Sequence, residues 1–341
     1  MTLKLWNIAL VGPTGLVGEQ VRELLEERSF PVGVIKLLAS GKGAGAILEF
    51  AGKPIAVTQL RHDSFEGIDI AFFCAGSSRS QEFCPSAVKA GAVCIDTTSA
   101  WRMDPEAPLV VAVVNPHTIG EFSRKGIIAT PASSAIQMMV ALKPLHDYAG
   151  IRRIVVSTYQ SVSGAGRKAI SELQKQVGEL LNGRPITCSV YPHQIAFNCL
   201  PQIDDFESDG STREELKIIN ETRKILGSEI KVTATAVRVP VFYAHSESIN
   251  IETGLKLTVA KARQLLSTAP GVELVDDPVA GVYPMASDVA GQDLVMVGRI
   301  REDDSIENGL NLWVVADNLR QEAINAIQIA EILIGTYLNP K

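Results

Sequence analysis

Residues 6–18 read Trp-Asn-Ile-Ala-Leu-Val-Gly-Pro-Thr-Gly-Leu-Val-Gly, an apolar run that passes directly into closely spaced glycines. The run Asn7 to Val11 predicts a β-strand. Residues Gly15 to Arg28 predict a helix, because their apolar side chains recur every three or four positions. Glycines at such a strand–turn–helix junction let backbone N–H groups approach a pyrophosphate at the helix N-terminus. The pattern therefore predicts a dinucleotide-binding unit, with a tight turn that binds nothing as the alternative.

The same segment predicts which residues contact the cofactor and which cofactor it is. The next predicted strand ends at Ser40-Gly41-Lys42 without an acidic residue. Sites that prefer NAD usually place Asp or Glu there to bind the ribose hydroxyls. Ser40 and Lys42 instead favour a 2′-phosphate and hence NADP, although Lys42 alone could equally be a solvated loop charge. The predicted cofactor-binding residues of this region are Gly12, Thr14, Gly15, Val17, Gly18, Ser40 and Lys42.

Strands and helices alternate over the first third of the chain, which is typical of a parallel sheet covered on both faces. After Ser133 the predicted strands are longer and the helices fewer, which favours a mixed or antiparallel sheet with helices on one face. A last amphipathic helix, 320–337, could return to the first domain. We therefore predict an α/β protein: a Rossmann-like doubly wound domain over 1–132 plus 320–341, with an inserted α+β domain over 133–319. Strands of the first domain are expected at 34–39, 69–74, 93–96, 109–114 and 127–129, with a hairpin over 47–60.

Composition narrows the class of protein. The chain has 341 residues, 46% hydrophobic and 21% charged, with a formal net charge of −6. That charge argues against nucleic acid or an anionic membrane surface as the main partner. The longest apolar runs are strand-length, so we expect no membrane span. The five cysteines form neither CxxC pairs nor a disulfide-like framework, so a cytoplasmic location without a metal site is expected.

A long and unusual segment, Ser157-Thr-Tyr-Gln-Ser-Val-Ser-Gly-Ala-Gly166, lies where the second predicted domain begins its sheet. Together with other stretches in chain order, it resembles the bacterial aspartate-semialdehyde dehydrogenase family over nearly the whole length. The other matching stretches are Ala-Gly-Ser-Ser at 75–78, Asp-Thr-Thr-Ser at 96–99, Ala-Phe-Asn at 196–198, Pro-Gln-Ile-Asp at 201–204, Ala-His-Ser-Glu-Ser at 244–248 and Trp-Val-Val-Ala-Asp-Asn-Leu-Arg at 313–320.

This resemblance implies a reaction and a set of residues for it. Enzymes of the family reduce β-aspartyl phosphate with NADPH through a cysteine thioester, and the reverse direction needs phosphate. The resemblance implies that His245 acts as acid and base and that Gln160 orients the acyl intermediate. Arg238 would bind the substrate carboxylate and Glu214 the substrate amine. It further implies phosphate binding by Arg102 and Lys217, cofactor contacts at Gly76 and Ser77, and a homodimer packed through the second domain's sheet.

One motif departs from the family pattern. The nucleophilic cysteine of the family lies in Pro-Asn-Cys-Ser/Thr, directly before Ile-Gln. Here residues 131–137 read Pro-Ala-Ser-Ser-Ala-Ile-Gln, which places Ser133 at the cysteine position and Ala132 at the asparagine position. The Pro-Glu that the family has further upstream is replaced by Ala112-Val113. A serine hydroxyl has a far higher pKa than a thiol and needs a general base at the moment of attack.

The departure leaves three functional hypotheses open. The first is an NADP-binding member of the family whose dehydrogenase activity is lost or much reduced. The second is an NADP-dependent oxidoreductase that works slowly on an aldehyde or acyl phosphate through Ser133. The third is an esterase or acyltransferase that uses Ser133 and His245, which the absence of a Gly-x-Ser-x-Gly elbow disfavours. A structural alternative for Ser133 and Ser134 is a helix N-cap.

Overall fold

The computed structural model describes residues 4–41 and 43–338, which fold as two compact units. The first comprises the described residues of Met1–Ala132 and Glu322–Lys341, and the second comprises Ser133–Gln321. No helix among the described residues is both long and apolar enough to cross a membrane.

A seven-stranded sheet forms the centre of the first unit. Its order is β3-β4-β2-β1-β5-β6-β7, and all neighbours are parallel except the antiparallel pair β3 and β4. The strands are β1 (Trp6–Val11), β2 (Val32–Ala39), β3 (Ile47–Phe50), β4 (Lys53–Gln59), β5 (Ile70–Phe73), β6 (Val93–Asp96) and β7 (Ile127–Ala129). Because β1 lies between β2 and β5, the chain reverses its direction of winding at β1, and ligands of such sheets bind at this switch point. The sequence-based prediction of a doubly wound α/β domain is confirmed.

Helices α1 (Leu16–Glu27), α2 (Ser77–Lys89) and the end of α8 (Asn318–Ile332) complete this unit. Val21, Leu24 and Leu25 on α1 are fully or almost fully buried, as their spacing predicts. Apolar residues of α8 from Ala323 onward share a core cluster with β1, which is the returning helix that the sequence predicts.

The predicted strand over 109–114 is wrong. Leu109 makes a single bridge to Ala129, and the residues after it form a turn. Two buried side-chain amides take the place of a neighbouring strand. Asn115 accepts from the N–H of Val111 and donates to the carbonyl of Leu109, at 2.8 and 2.9 Å. Asn325 likewise accepts from the N–H of Ala112 and donates to the carbonyl of Val110. The apolar composition of this stretch gives no sign of these side-chain contacts.

The second unit contains a mixed six-stranded sheet in the order β11-β12-β13-β10-β8-β9. Strands β8 and β9 are parallel, as are β11 and β12, and the other neighbours are antiparallel. The strands are β8 (Ile151–Gln160), β9 (Lys231–Arg238), β10 (His245–Thr253), β11 (Val272–Leu274), β12 (Val295–Asp303) and β13 (Gly309–Ala316), and the helices are α3 (Ser133–Ala149), α4 (Arg167–Leu181), α5 (Arg213–Leu226), α6 (Val259–Leu266) and α7 (Ala286–Val289).

The register of the central strands sets the position of the site. Gln160 and Arg238 are partners at the carboxyl ends of the parallel strands β8 and β9. Strand β10 is antiparallel to β8 and pairs Ser246 with Tyr159, so His245 lies at the same edge. Helix α3, mostly buried, packs across β8, β10, β12 and β13. The ends of β8 and β9 and the start of β10 therefore lie at one edge of the second sheet, and α3 packs against the same sheet.

Candidate active site and cofactor cleft

The start of α3 carries the two serines in question. Ser133 is the first residue of the helix and is 7% exposed, and its hydroxyl has no hydrogen-bond partner within the described part of the chain. The Ser134 hydroxyl donates to Glu214 Oε1 at 3.2 Å. Since the helix begins at Ser133, the capping position falls on Ala132, whose side chain has no oxygen. Neither serine hydroxyl therefore caps this helix.

Glu214, in the first turn of α5, connects the start of α3 to the end of β8. Its Oε1 accepts a second hydrogen bond from Gln160 Nε2 at 3.0 Å. Its Oε2 lies 3.5 Å from Lys217 Nζ, and Lys217 forms a closer ion pair of 2.7 Å with Asp204. The i,i+3 spacing of Glu214 and Lys217 places both on one helix face, as the sequence predicts. A capping box of Thr212 and Glu215 fixes this helix start.

His245 has a defined tautomer. The backbone N–H of Ser161 points to His245 Nδ1 at 3.1 Å, and a backbone N–H can only donate. Nδ1 must therefore be unprotonated, and in the neutral imidazole the proton is on Nε2. Burial, with a smaller contribution from the charge of Arg238, lowers the pKa of His245 to about 3. Neutral His245 is thus a hydrogen-bond donor at Nε2.

A buried polar cluster holds His245 in place. The Ser161 hydroxyl lies 3.1 Å from His245 Nδ1. The same hydroxyl lies 2.9 Å from the hydroxyl of Ser163. Both hydroxyls also reach Asn318 Oδ1, at 3.2 and 2.9 Å. Ser161, Ser163 and Asn318 are not among the residues predicted from the sequence, although all three lie in the segments that carry the family resemblance. Their polar side chains within those segments were the only feature of the sequence that could have indicated a role in the site.

Arg238 keeps hydrogen-bonding capacity for an anion. Its side chain is 5% exposed, and one guanidinium nitrogen donates to the carbonyl of Ser161 at 2.7 Å. Its Nε has no partner among the described residues. Burial lowers the pKa of this guanidinium, which nevertheless stays charged at neutral pH because its ordinary pKa is so high. A buried cation with free donors suits the carboxylate role that the resemblance implies.

Glu247 is a second carboxyl group near this site, two residues beyond His245 on β10. It is fully buried, and neither carboxyl oxygen makes a well-formed hydrogen bond to a residue that the structure describes. Burial raises the pKa of Glu247 well above its usual range, the nearby Gln137 amide opposes the rise and Glu214 adds to it. The Oε1 of Gln137 is also unpaired in the described chain. In its protonated form Glu247 is a hydrogen-bond donor, and the Gln137 oxygen is an acceptor of the kind that it would need.

Arg102 belongs to the first unit. Its guanidinium donates to the backbone carbonyls of Thr98 and Thr97 at 3.1 and 3.0 Å. Nearby Asp96 is buried, which raises its pKa to about 6, and the hydrogen bonds from Thr98 and the charge of Arg102 oppose that rise. The predicted phosphate-binding role of Arg102 stays a prediction.

The glycine turn after β1 borders a cleft of about 400 Å³ in the first unit. Gly12 has a φ of +90°, and a Cβ atom there would lie 2.9 Å from the carbonyl oxygen of Cys74. A Cβ on Gly18 would overlap the Gly12 carbonyl, so both positions require glycine. The cleft is lined by Gly12, Thr14, Gly15, Ala39, Ser40, Gly43, Cys74, Ala75 and Arg79. Backbone amides, hydroxyls and a guanidinium in one cleft fit the phosphates of a dinucleotide.

The other predicted cofactor residues have different surroundings. Val17 packs against the core cluster of the first unit. Gly76 precedes α2 with a φ of +90°, and the Ser77 hydroxyl bonds to that of Ser99 at 2.8 Å. Lys42 lies outside the described residues. Arg79, which is not among the residues predicted from the sequence, also lines the cleft.

None of the five cysteines lies at the position where the resemblance places the nucleophile. Cys84 and Cys94 are buried in the core of the first unit, and Cys188 and Cys199 are exposed in the second. Cys74 lines the cofactor cleft, where burial raises the pKa of its thiol to about 12. A thiol with this pKa is almost entirely un-ionised at neutral pH.

The first unit has a cleft that fits a dinucleotide, and the second has a buried cluster of Gln, Glu, Arg and His side chains. These are features of an oxidoreductase, and the comparisons identify its family. Residues 7–122 match the model for the semialdehyde dehydrogenase NAD-binding domain, and residues 142–321 match the model for the semialdehyde dehydrogenase dimerisation domain. An aspartate-semialdehyde dehydrogenase of Aquifex aeolicus is 53% identical over 333 residues, covering 96% of this chain and 98% of its own. That of Bacillus subtilis is 47% identical over 337 residues, covering 96% and 97%.

Solved structures agree with these matches. Aspartate semialdehyde dehydrogenase II from Vibrio cholerae superposes with a TM-score of 0.96 at 46% identity, covering 98% of this chain and all of that chain. The chain therefore belongs to the aspartate-semialdehyde dehydrogenase family. The predicted family, its NAD(P)-binding domain and its dimerisation domain are confirmed.

Proposed function

We propose that this chain is an NADP-binding member of the family whose phosphate-dependent dehydrogenase activity is lost or much reduced. The observation that carries the proposal is Ser133 at the start of α3, in the position where the resemblance places the catalytic cysteine. A thiolate stores the acyl group well because it is largely ionised when activated, whereas an alcohol needs a base during attack.

The remaining residues support ligand binding at the same place. Arg238 has unused donors for a carboxylate, and Glu214 offers a carboxylate to an amine, while Lys217 supplies a cation nearby. A relative from Vibrio cholerae has been solved in complex with ASA. We infer that this chain retains affinity for small amino acids with an aldehyde, phosphate or carboxyl side chain. When bound, the nicotinamide of NADP⁺ would accept a hydride. Gln160 and His245 would orient the reacting carbonyl by hydrogen bonds.

The geometry of His245 argues against the esterase alternative. A serine hydrolase needs a histidine nitrogen with a free lone pair toward the serine. Here the Ser161 N–H occupies the Nδ1 lone pair and the neutral ring carries its proton on Nε2. The depressed pKa of His245 also makes its protonated state costly. His245 is suited to donate a hydrogen bond to a carbonyl oxygen rather than to activate Ser133.

One set of assays on the purified protein tests the proposal. NADPH formation from aspartate semialdehyde with phosphate is measured beside hydrolysis of an activated acetate ester. Calorimetry measures NADP⁺ binding in parallel. We expect NADP⁺ binding with no detectable dehydrogenase or esterase turnover. Dehydrogenase turnover at roughly 10 s⁻¹, an ordinary enzyme rate, would contradict the claim of lost activity. Steady ester turnover would favour the third hypothesis, and failure to bind either dinucleotide would remove the cofactor proposal.

We also propose that the protein is a homodimer formed through the open face of the second sheet. Residues of β10 alternate between buried and half-exposed, and the half-exposed ones lie opposite α3. A cleft of about 520 Å³ on this face is lined partly by Ser246, Ser248 and Trp313. The match to a dimerisation domain supports a dimer formed through this unit. Sedimentation should show a dimer that Ser248→Arg converts to a monomer and Ser248→Ala leaves intact. A concentration-independent wild-type monomer would refute the proposal.

A further inference from the structure

Arg79 occupies an unusual position at the cofactor cleft. It lies in the first turn of α2, yet its side chain reaches the end of β2, where it donates to the Ser40 hydroxyl at 3.1 Å. Its other terminal nitrogen donates to the carbonyl of Ala75 at 2.9 Å. Arg79, Ser40 and Gly43 line one cleft together with the glycine turn.

The surroundings of Arg79 leave its charge uncompensated. It forms no ion pair with any carboxylate in residues 4–41 and 43–338, and both of its recorded contacts are neutral oxygens. A cation in the first turn of a helix is also unfavourable, because the N-terminal end of the helix dipole is positive. Arg79 is exposed, so water solvates its charge, and an anion beside it would offset the unfavourable contact with the helix dipole.

We propose that Arg79 binds the 2′-phosphate of NADP and sets the preference of this cleft for NADP over NAD. The end of the second strand is where Rossmann folds place the adenosine ribose, and no carboxylate there competes for the ribose hydroxyls. Arg79 and Ser40 provide a guanidinium fork and a hydroxyl at this point, which suit a phosphate dianion. This inference rests on the proposed NADP binding and names the residue that recognises its distinguishing group.

Calorimetry on four ligands tests this role without any assay of catalysis. The ligands are NADP⁺, NAD⁺, adenosine 2′,5′-bisphosphate and adenosine 5′-monophosphate. Arg79→Met should weaken the two ligands that carry a 2′-phosphate by about 10- to 100-fold and leave the other two within about twofold. Arg79→Lys should lie between, because it keeps the charge and loses the fork. Lys89→Met, which removes a charge from the exposed last turn of the same helix, should bind all four ligands as wild type does.

Other results would overturn the assignment in recognisable ways. Equal weakening of all four ligands by Arg79→Met would mean that the guanidinium stacks on adenine or supports the fold. Unchanged binding in Arg79→Met together with a loss in Lys42→Met would move the phosphate site to Lys42. Both outcomes leave NADP binding itself intact. Wild-type protein that binds none of the four ligands would instead refute the proposed function and this inference with it.

Discussion

The turn after β1 and the turn before α3 are both strand-to-helix junctions, and they ask different things of their side chains. At the first, Gly12 and Gly18 are required by close backbone packing, and the groups offered to a ligand are mostly backbone amides. At the second, the resemblance implies that a side-chain atom at position 133 forms and breaks a covalent bond in the family reaction. The first function needs only the absence of a Cβ atom, whereas the second needs a sulfur atom in the side chain at position 133.

This difference is the reason why, under the proposed function, binding persists although the dehydrogenase reaction is lost or much reduced. Gln160, Glu214, Arg238 and His245 form a buried, hydrogen-bonded arrangement in the second unit. The Ser133 hydroxyl beside them makes no hydrogen bond to any residue that the structure describes. A site that keeps its supporting contacts and lacks its nucleophile is expected to hold ligands without turning them over.

The largest expected effect is a gain of activity in Ser133→Cys. If the supporting residues are competent, NADPH formation from aspartate semialdehyde and phosphate should rise by at least about 100-fold over wild type, since loss of a nucleophile ordinarily costs far more. Ser134→Cys is the matched control, because it adds a thiol one position further along and should gain nothing.

The outcome of this change also locates any further loss. Ala132 and Ala112-Val113 stand where the family has an asparagine and a Pro-Glu pair, so Ser133→Cys alone could stay inactive. In that case Ala132→Asn should be added. A double variant that binds NADP⁺ but still forms no NADPH would show that Gln160, Glu214, Arg238 and His245 do not support the reaction.

A smaller effect is expected at the glycine turn. Gly18→Ala should lower the free energy of unfolding by about 1–3 kcal/mol, because the new methyl group overlaps the Gly12 carbonyl. NADP⁺ binding should be lost with it. Gly178→Ala is the control: this glycine lies inside α4 with open space around it, and alanine should stabilise the helix by about 0.5–1 kcal/mol. Chemical denaturation and calorimetry measure both quantities. Wild-type stability and binding in Gly18→Ala would show that the turn tolerates a side chain.

Features set by local sequence were predictable, and features set by contacts between distant segments were not. The glycine turn was predictable because local spacing determines it, and the family resemblance assigned Gln160 and His245 from short motifs. The strand predicted over 109–114 failed because Asn325, more than 200 residues away, bonds its backbone. Arg79 was missed because its reach to Ser40 depends on the packing of α2 against the sheet. Contacts between segments distant in sequence leave no periodic signal.

The smallest effect concerns pH and the buried carboxyl group beside the active site. Burial raises the pKa of Glu247 above its usual value, so the native protein binds this proton more tightly than the unfolded chain does. The stability of wild type should therefore fall as the pH rises above the unfolded carboxyl pKa of about 4.3 and toward the native one.

Glu247→Gln keeps the shape of the side chain and removes its titration. Its advantage in free energy of unfolding should consequently grow between about pH 5 and pH 8. Ser248→Ala, which changes a residue without an ionisable side chain on the opposite face of β10, should leave the slope of the wild-type profile unchanged. Urea denaturation of the three proteins across this range gives the profiles. Parallel profiles for Glu247→Gln and wild type would mean that Glu247 is ionised and paired in the folded protein, as a carboxylate taking part in ligand binding would be.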